Sequence, residues 1–113
     1  MSFQVKDSGK REEYPSGMRR DTQEGKPDYT LIELDFLTRL ATHLTKGAVK
    51  YGRHNWKLAN SQEELDRFRS SALRHMFQYL NGDRDEDHMS AVAFNLMACE
   101  YVRSLLDECK DTS

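Results

Sequence analysis

The sequence predicts an all-α fold, a small bundle of three to four helices behind an irregular N-terminal segment, completed by oligomerisation. Three observations predict it. Between residues 30 and 108, apolar side chains recur at spacings of three and four in three separate stretches. Residues 1–29 are polar, are broken by Gly9, Pro15, Gly17, Gly25 and Pro27, and show neither a helical nor a strand period. The chain has 113 residues, 37% apolar and 32% charged, which suits one domain over 1–113 with a modest core that partner subunits finish.

The first helix is expected from about Glu33 to Tyr51, with Leu37, Leu40, Ala41, Leu44 and Ala48 on its apolar stripe. Gly47 weakens it near its end, and Lys50-Tyr51-Gly52 reads as a helix end with a glycine cap. A loop from Arg53 to Asn60 carries the single tryptophan, Trp56. The second helix opens on Ser61-Gln62-Glu63-Glu64, a capping box. Leu65, Phe68, Ala72, Met76 and Leu80 form its core stripe, and Asn81-Gly82 ends it. The third helix is expected to begin near Asp85, where acids suit the helix dipole. Met89, Val92, Ala93, Leu96, Val102 and Leu106 line its buried side, and it frays around Glu108. Short connections predict antiparallel neighbours, and the open side of such a trio is a natural dimer surface.

The net charge of −2 provides no global field to recruit DNA or anionic lipid. Cys99 and Cys109 lie ten apart on one helical stretch and do not readily face each other, which suits a reducing compartment. No apolar run approaches a membrane span, and the start Met1-Ser2-Phe3-Gln4 carries no apolar signal core. The expectation is a cytoplasmic protein with no membrane partner and no stable nucleic-acid binding.

Four places can carry chemistry. The turn Asp83-Arg84-Asp85-Glu86-Asp87-His88 packs four carboxylates and an imidazole into six residues, a set that can hold Mg²⁺ or Mn²⁺. His88 and Asn95, seven apart, share a helix face. The alternative is a solvated helix start. Arg74-His75 stands inside an otherwise apolar helix, where Arg74 can grip phosphate and His75 can serve acid–base chemistry. A histidine there can equally be a satisfied core residue. Lys46 to Trp56 concentrates Lys50, Tyr51, Asn55 and Trp56, which can stack a base and bond its edge; the alternative is that Trp56 plugs the core. In the N-terminal segment, Gly9-Lys10-Arg11, Gly17-Met18-Arg19-Arg20 and Gly25-Lys26 place glycines beside cations, letting backbone approach phosphate. Six basic and six acidic residues over 1–29 also fit a disordered tail. P-loop, dinucleotide-glycine, cysteine-zinc and serine-elbow motifs are all absent from the sequence.

In order, Ser8-Gly9-Lys10-Arg11, Arg20 to Pro27, Tyr29, Leu31-Ile32, Gly47-Ala48, Lys50-Tyr51-Gly52 and Asn55-Trp56 resemble the dATP/dGTP diphosphohydrolase, N-terminal type, family. Arg67-Phe68, Ser71-Ala72, Arg74-His75, Gly82-Asp83, Glu86-Asp87-His88 and Asn95 continue the resemblance over nearly the whole chain. Relatives include MazG-like pyrophosphohydrolases of phages that replace adenine by 2-aminoadenine. The resemblance implies a MazG-like all-α fold, Mg²⁺ or Mn²⁺, and attack of water between the α and β phosphates of a purine deoxynucleoside triphosphate. It departs from the MazG pattern at Ser70 to His75 and at His88 to Ala91, where Glu-Glu-x-x-Glu and Glu-x-x-Asp carboxylates are missing.

The resulting expectation is hydrolysis of dGTP or dATP to the monophosphate and pyrophosphate by a dimer or tetramer, in host cytoplasm if the gene is a phage's. Metal ligands are expected among Asp83, Glu86, Asp87 and His88, with Glu86, Asp87 and His75 as catalytic groups. Lys10, Arg11, Lys26 and Arg74 are expected on phosphate; Lys50, Tyr51, Asn55, Trp56 and Asn95 complete substrate binding. The rival reading is a non-catalytic helical phage adaptor or nucleic-acid-binding module. A triphosphohydrolase is disfavoured because the chain lacks a His-Asp dipeptide.

Overall fold

The structure, a computed structural model, describes residues 3–111. It divides into two compact units, the first ending at Ile32 and the second beginning at Glu33.

The first unit holds a short antiparallel hairpin, β1 (Arg11–Glu13) and β2 (Arg19–Asp21). Its register pairs Arg11 with Asp21, Glu12 with Arg20 and Glu13 with Arg19, so every cross-strand pair joins opposite charges. Such pairs each contribute roughly 0.2–1 kcal/mol relative to alanine pairs. Tyr14-Pro15-Ser16-Gly17 makes the reversal. Gly17 N–H bonds the Tyr14 carbonyl at 2.8 Å, and Gly17 adopts φ 91°, which leaves the chain in register for Tyr14 N–H to reach the Met18 carbonyl at 2.9 Å. The expected irregular segment is therefore partly ordered as a hairpin. Its strands carry no alternating apolar pattern because charge pairing, not burial, aligns them.

The second unit is the helical bundle. Helix α1 spans Leu34–Tyr51, with the Glu33 carboxylate accepting from Asp35 N–H, and Gly52 at φ 94° follows its end. Helix α2 spans Gln62–Leu80. Ser61 Oγ caps it, accepting from Glu64 N–H at 3.2 Å, while the Glu64 carboxylate accepts from Asn60 N–H and Ser61 Oγ. Helix α3 spans His88–Asp111, so it starts three residues later than the sequence suggested and continues past Glu108. Among the described residues no helix is long and apolar enough to cross a membrane.

Helices α2 and α3 run antiparallel: Leu65 near the start of α2 shares a core with Cys99 and Val102, while His75 meets His88 at the start of α3. Ala59, Phe68, Tyr101 and Leu106 complete that core. Cys99 is a free thiol within it, and burial pushes its pKa up; the Cys109 side chain lies outside the described residues. Phe94 is an aromatic hub, with Trp56 and Phe68 edge-on at 5.9 and 6.2 Å and His43 tilted at 5.8 Å. Helix α1 buries no residue completely, and Leu37 on its stripe remains 47% exposed. Leu73, Phe77 and Leu80 on α2 also stay exposed. The apolar stripes are thus only partly covered by this chain.

Candidate metal centre

The connection between α2 and α3 is built by two caps. At the end of α2, Gly82 takes φ 85°, its N–H bonds the Tyr79 carbonyl at 3.0 Å, and Asp83 N–H bonds the Gln78 carbonyl at 3.0 Å. This is the Schellman pair of bonds, which needs a left-handed residue where Gly82 stands. It fixes Asp83 immediately beyond the turn, where the Asp83 carboxylate also accepts from Asn81 Nδ2 at 3.0 Å. At the start of α3, Asp87 is the cap: its carboxylate accepts from Ser90 N–H at 3.2 Å and Ser90 Oγ at 2.7 Å. Taking Asp87 as cap leaves Asp85 and Glu86 in the connection, which is why α3 begins later than its run of acids suggests.

Between the caps, Asp83, Asp85 and His88 converge, each offering one ligand atom, with all three atoms within 4.8 Å of one another. His88 is 2% exposed, and its Nε2 lies 2.8 Å from Asp85 Oδ1. That hydrogen bond is the main reason the Asp85 carboxyl is held below the ordinary carboxylate range. The other ring nitrogen, Nδ1, lies 2.9 Å from His75 Nδ1 on α2. His75 is itself buried, and burial, seconded by the Arg74 charge, lowers its pKa. His43 of α1 also lies close enough to disfavour a proton on His75. One histidine from each helix therefore contributes to this end of the bundle.

The donor set fits a divalent cation. Two carboxylates balance the charge of a doubly charged ion, and the imidazole adds a nitrogen donor beside their oxygens.

The remaining expected site residues fall into separate places. Glu86 and Asp87 stand outside the converging trio. Both Asp87 oxygens are bound by Arg39 of α1, Nε at 3.0 Å and Nη2 at 2.7 Å, and this pairing holds the carboxyl well below its usual range. Asn95 is buried and donates to the Ala91 carbonyl at 2.8 Å. Arg74 is exposed, and among the described residues it has no ion-pair partner. Lys50 lies 5.1 Å above the Tyr51 ring. Trp56 sits against Phe94 and Tyr101, so it stands at the level of α3 residues 94 to 101, roughly 9–20 Å along the helix from His88 at about 1.5 Å per residue. Within one chain the aromatic loop and the acidic trio are not brought together.

In the first unit, Lys10 pairs with Glu24 at 2.8 Å, Arg11 with Asp7 at 2.8 Å, and Lys26 with Asp21 at 3.3 Å. Asp21 also accepts from Ser8 N–H and Ser8 Oγ, which holds its carboxyl below the usual range. Arg11, Arg19, Arg20 and Lys6 line a shallow hollow on this unit.

Sequence reasoning placed Asp85 in the acidic run able to hold a metal but preferred Glu86 and Asp87 as ligands, and it missed Arg39 and His43 altogether. The signal for Asp85 is its i, i+3 spacing to His88. Arg39 and His43 carried none, because only the packing of α1 on α3 brings them here.

Residues 16–109 match the family model described as dATP/dGTP diphosphohydrolase, N-terminal. The chain belongs to that family. Comparison with curated proteins and with solved structures gives no match. The match to the dATP/dGTP diphosphohydrolase, N-terminal, family covers strand β2, helices α1 and α2 and all but the last two residues of α3, and it includes the whole acidic connection.

Proposed function

We propose that the protein hydrolyses purine deoxynucleoside triphosphates to the monophosphate and pyrophosphate, using a divalent cation held by Asp83, Asp85 and His88. The observation that carries this reading is the convergence of those three ligand atoms, one on a buried imidazole, in a member of this family. Mn²⁺ is favoured over Mg²⁺ because an imidazole stands in the donor set. The cation supplies charge neutralisation for the phosphates and acidifies water at the site.

The chain's own residues do the rest. Asp83 and Asp85 are held ready by the Schellman turn and by His88, so little backbone movement precedes ion binding. Arg74, exposed one residue from His75, offers a guanidinium to phosphate. Lys10, Arg11 and Lys26 of the first unit are cations of the kind that bind phosphate, each paired here with a carboxylate that a phosphate oxygen can replace. Tyr51, Asn55 and Trp56, with Lys50 beside them, are the base-recognising group. Because they stand apart from Asp83, Asp85 and His88 in one chain, the exposed apolar stripes of α1 and α2 are read as a homo-oligomer surface. A phage setting in the host cytoplasm, serving modified-purine DNA synthesis, fits this activity.

The test is a panel of nucleoside triphosphates with Mn²⁺ or Mg²⁺, following pyrophosphate against phosphate release. Pyrophosphate from dGTP or dATP, abolished by Asp83→Asn, is expected. No turnover together with tight binding of DNA or another protein would establish the non-catalytic module instead.

A further inference from the structure

The contact between the two buried imidazoles has a direction that depends on what His88 Nε2 holds. An ionised carboxylate only accepts hydrogen bonds, so at 2.8 Å from Asp85 the His88 Nε2 carries a proton. With both rings uncharged, His88 Nδ1 is then a lone pair, and His75 Nδ1 donates to it across 2.9 Å. A cation on Nε2 requires the opposite arrangement. Nε2 becomes the lone pair, and His88 Nδ1 must carry the proton. His75 Nδ1 must accept it, leaving the His75 proton on Nε2.

We propose that His75 is the positioning residue of this centre: it accepts from His88 Nδ1–H and so keeps His88 Nε2 open for the cation. This rests on the metal reading above. The proton count is unchanged. His88 exchanges its Nε2 proton for one on Nδ1, and His75 exchanges its Nδ1 proton for one on Nε2, so both rings stay neutral. Asp85 loses a hydrogen bond in the same step and gains the ion. Ligating imidazoles are generally oriented by a partner on the other ring nitrogen, and removal of that partner typically weakens metal binding about 10–100-fold. Here the only group within hydrogen-bonding distance of His88 Nδ1 among the described residues is His75. Ring centroids 5.2 Å apart and tilted by 40° keep the two nitrogens edge to edge rather than stacked.

The experiment uses the full chain labelled with ¹⁵N histidine at pH 8, read by two-bond ¹H–¹⁵N spectra that distinguish the tautomers. Without metal, His88 is expected to be protonated on Nε2 and His75 on Nδ1. On addition of Zn²⁺, a diamagnetic probe, both tautomers should invert. In parallel, Mn²⁺ affinity is measured for the parent, His75→Phe and His75→Asn. The Phe variant removes the acceptor and should bind Mn²⁺ about 10–100-fold more weakly. The Asn variant places an amide oxygen near the Nδ1 position and should recover most of the loss. Parent-like Mn²⁺ affinity in His75→Phe, or His88 still protonated on Nε2 when loaded, would overturn the proposal while leaving the metal site standing. Unchanged Mn²⁺ affinity in Asp83→Asn and Asp85→Asn would overturn the metal reading itself, and this inference with it. The tautomer measurement on the parent protein decides the matter even if a His75 variant does not fold.

Discussion

Asp87 is the residue whose substitution best separates structure from chemistry. Its carboxylate caps α3 through Ser90 N–H and is gripped from α1 by Nε and Nη2 of Arg39. Removing a cap of this kind by alanine costs about 1 kcal/mol, within roughly 0.5–2. The Arg39 pair is part-exposed, with 53% and 30% of the two side chains accessible, so it adds about 0.2–1 kcal/mol, towards the upper end because it is bidentate. Asp87→Ala should therefore cost about 1–3 kcal/mol. For a domain of this size each kcal/mol shifts Tm by roughly 4–8 °C, so a fall on the order of 5–20 °C is expected. Asp87→Asn keeps the cap on Ser90 N–H but loses the charge and one of the two acceptor oxygens that Arg39 and Ser90 share, so it should cost about 1 kcal/mol, less than alanine. Thermal unfolding followed by circular dichroism, with Arg39→Ala and the double variant closing a cycle, measures both contributions. The stabilisation has a pH signature. The folded pKa of Asp87 is depressed, so it is fully present above the unfolded carboxylate value of about 3.9 and fades as pH falls below that value. Additive Arg39 and Asp87 variants, or an alanine variant as stable as the parent, would refute the reasoning. If Asp87→Asn instead weakened Mn²⁺ binding and turnover a hundredfold with little stability loss, Asp87 would be a ligand, as the acidic run by itself suggests.

Further outcomes follow from the same geometry. Asp83→Asn should leave Tm within a few degrees yet lower turnover of dGTP by about a hundredfold or more, the scale of losing one charged transition-state contact, as pyrophosphate release would show. Gly82→Ala should destabilise by about 1 kcal/mol because φ 85° strains any residue with a Cβ, and denaturant unfolding would measure it. His75 has a lowered folded pKa, so its contribution to stability is present above about pH 6.5 and is lost as pH falls through that value; the fall in Tm between pH 8 and 5.5 should be shallower in His75→Phe. Leu37→Glu or Phe77→Glu should lower the oligomeric state in light scattering, since both side chains stand exposed on the apolar stripes.

The sequence by itself determined the three helices and the ends of α1 and α2, while it started α3 three residues early and ended it short of Asp111. The Ser61 capping box, the glycines at 52 and 82 and the three- and four-residue spacings are local, so local rules read them. It also offered the Asp83 to His88 connection as one of four places able to carry chemistry, beside the alternative of a solvated helix start whose acids suit the dipole. The hairpin escaped notice, since Arg11–Asp21, Glu12–Arg20 and Glu13–Arg19 are complementary only once the strands are laid side by side. What only the tertiary structure decided is how the acids divide their work. Asp87 and Asp85 are two residues apart and chemically identical in sequence. The packing of α1 brings Arg39 to the first, and the antiparallel return of α3 along α2 sets His88, backed by His75, against the second. Arg39 lies 48 residues from Asp87, a separation no local pattern encodes. His88 is only three residues from Asp85, and it is the backing by His75, 13 residues before His88, that local rules do not read.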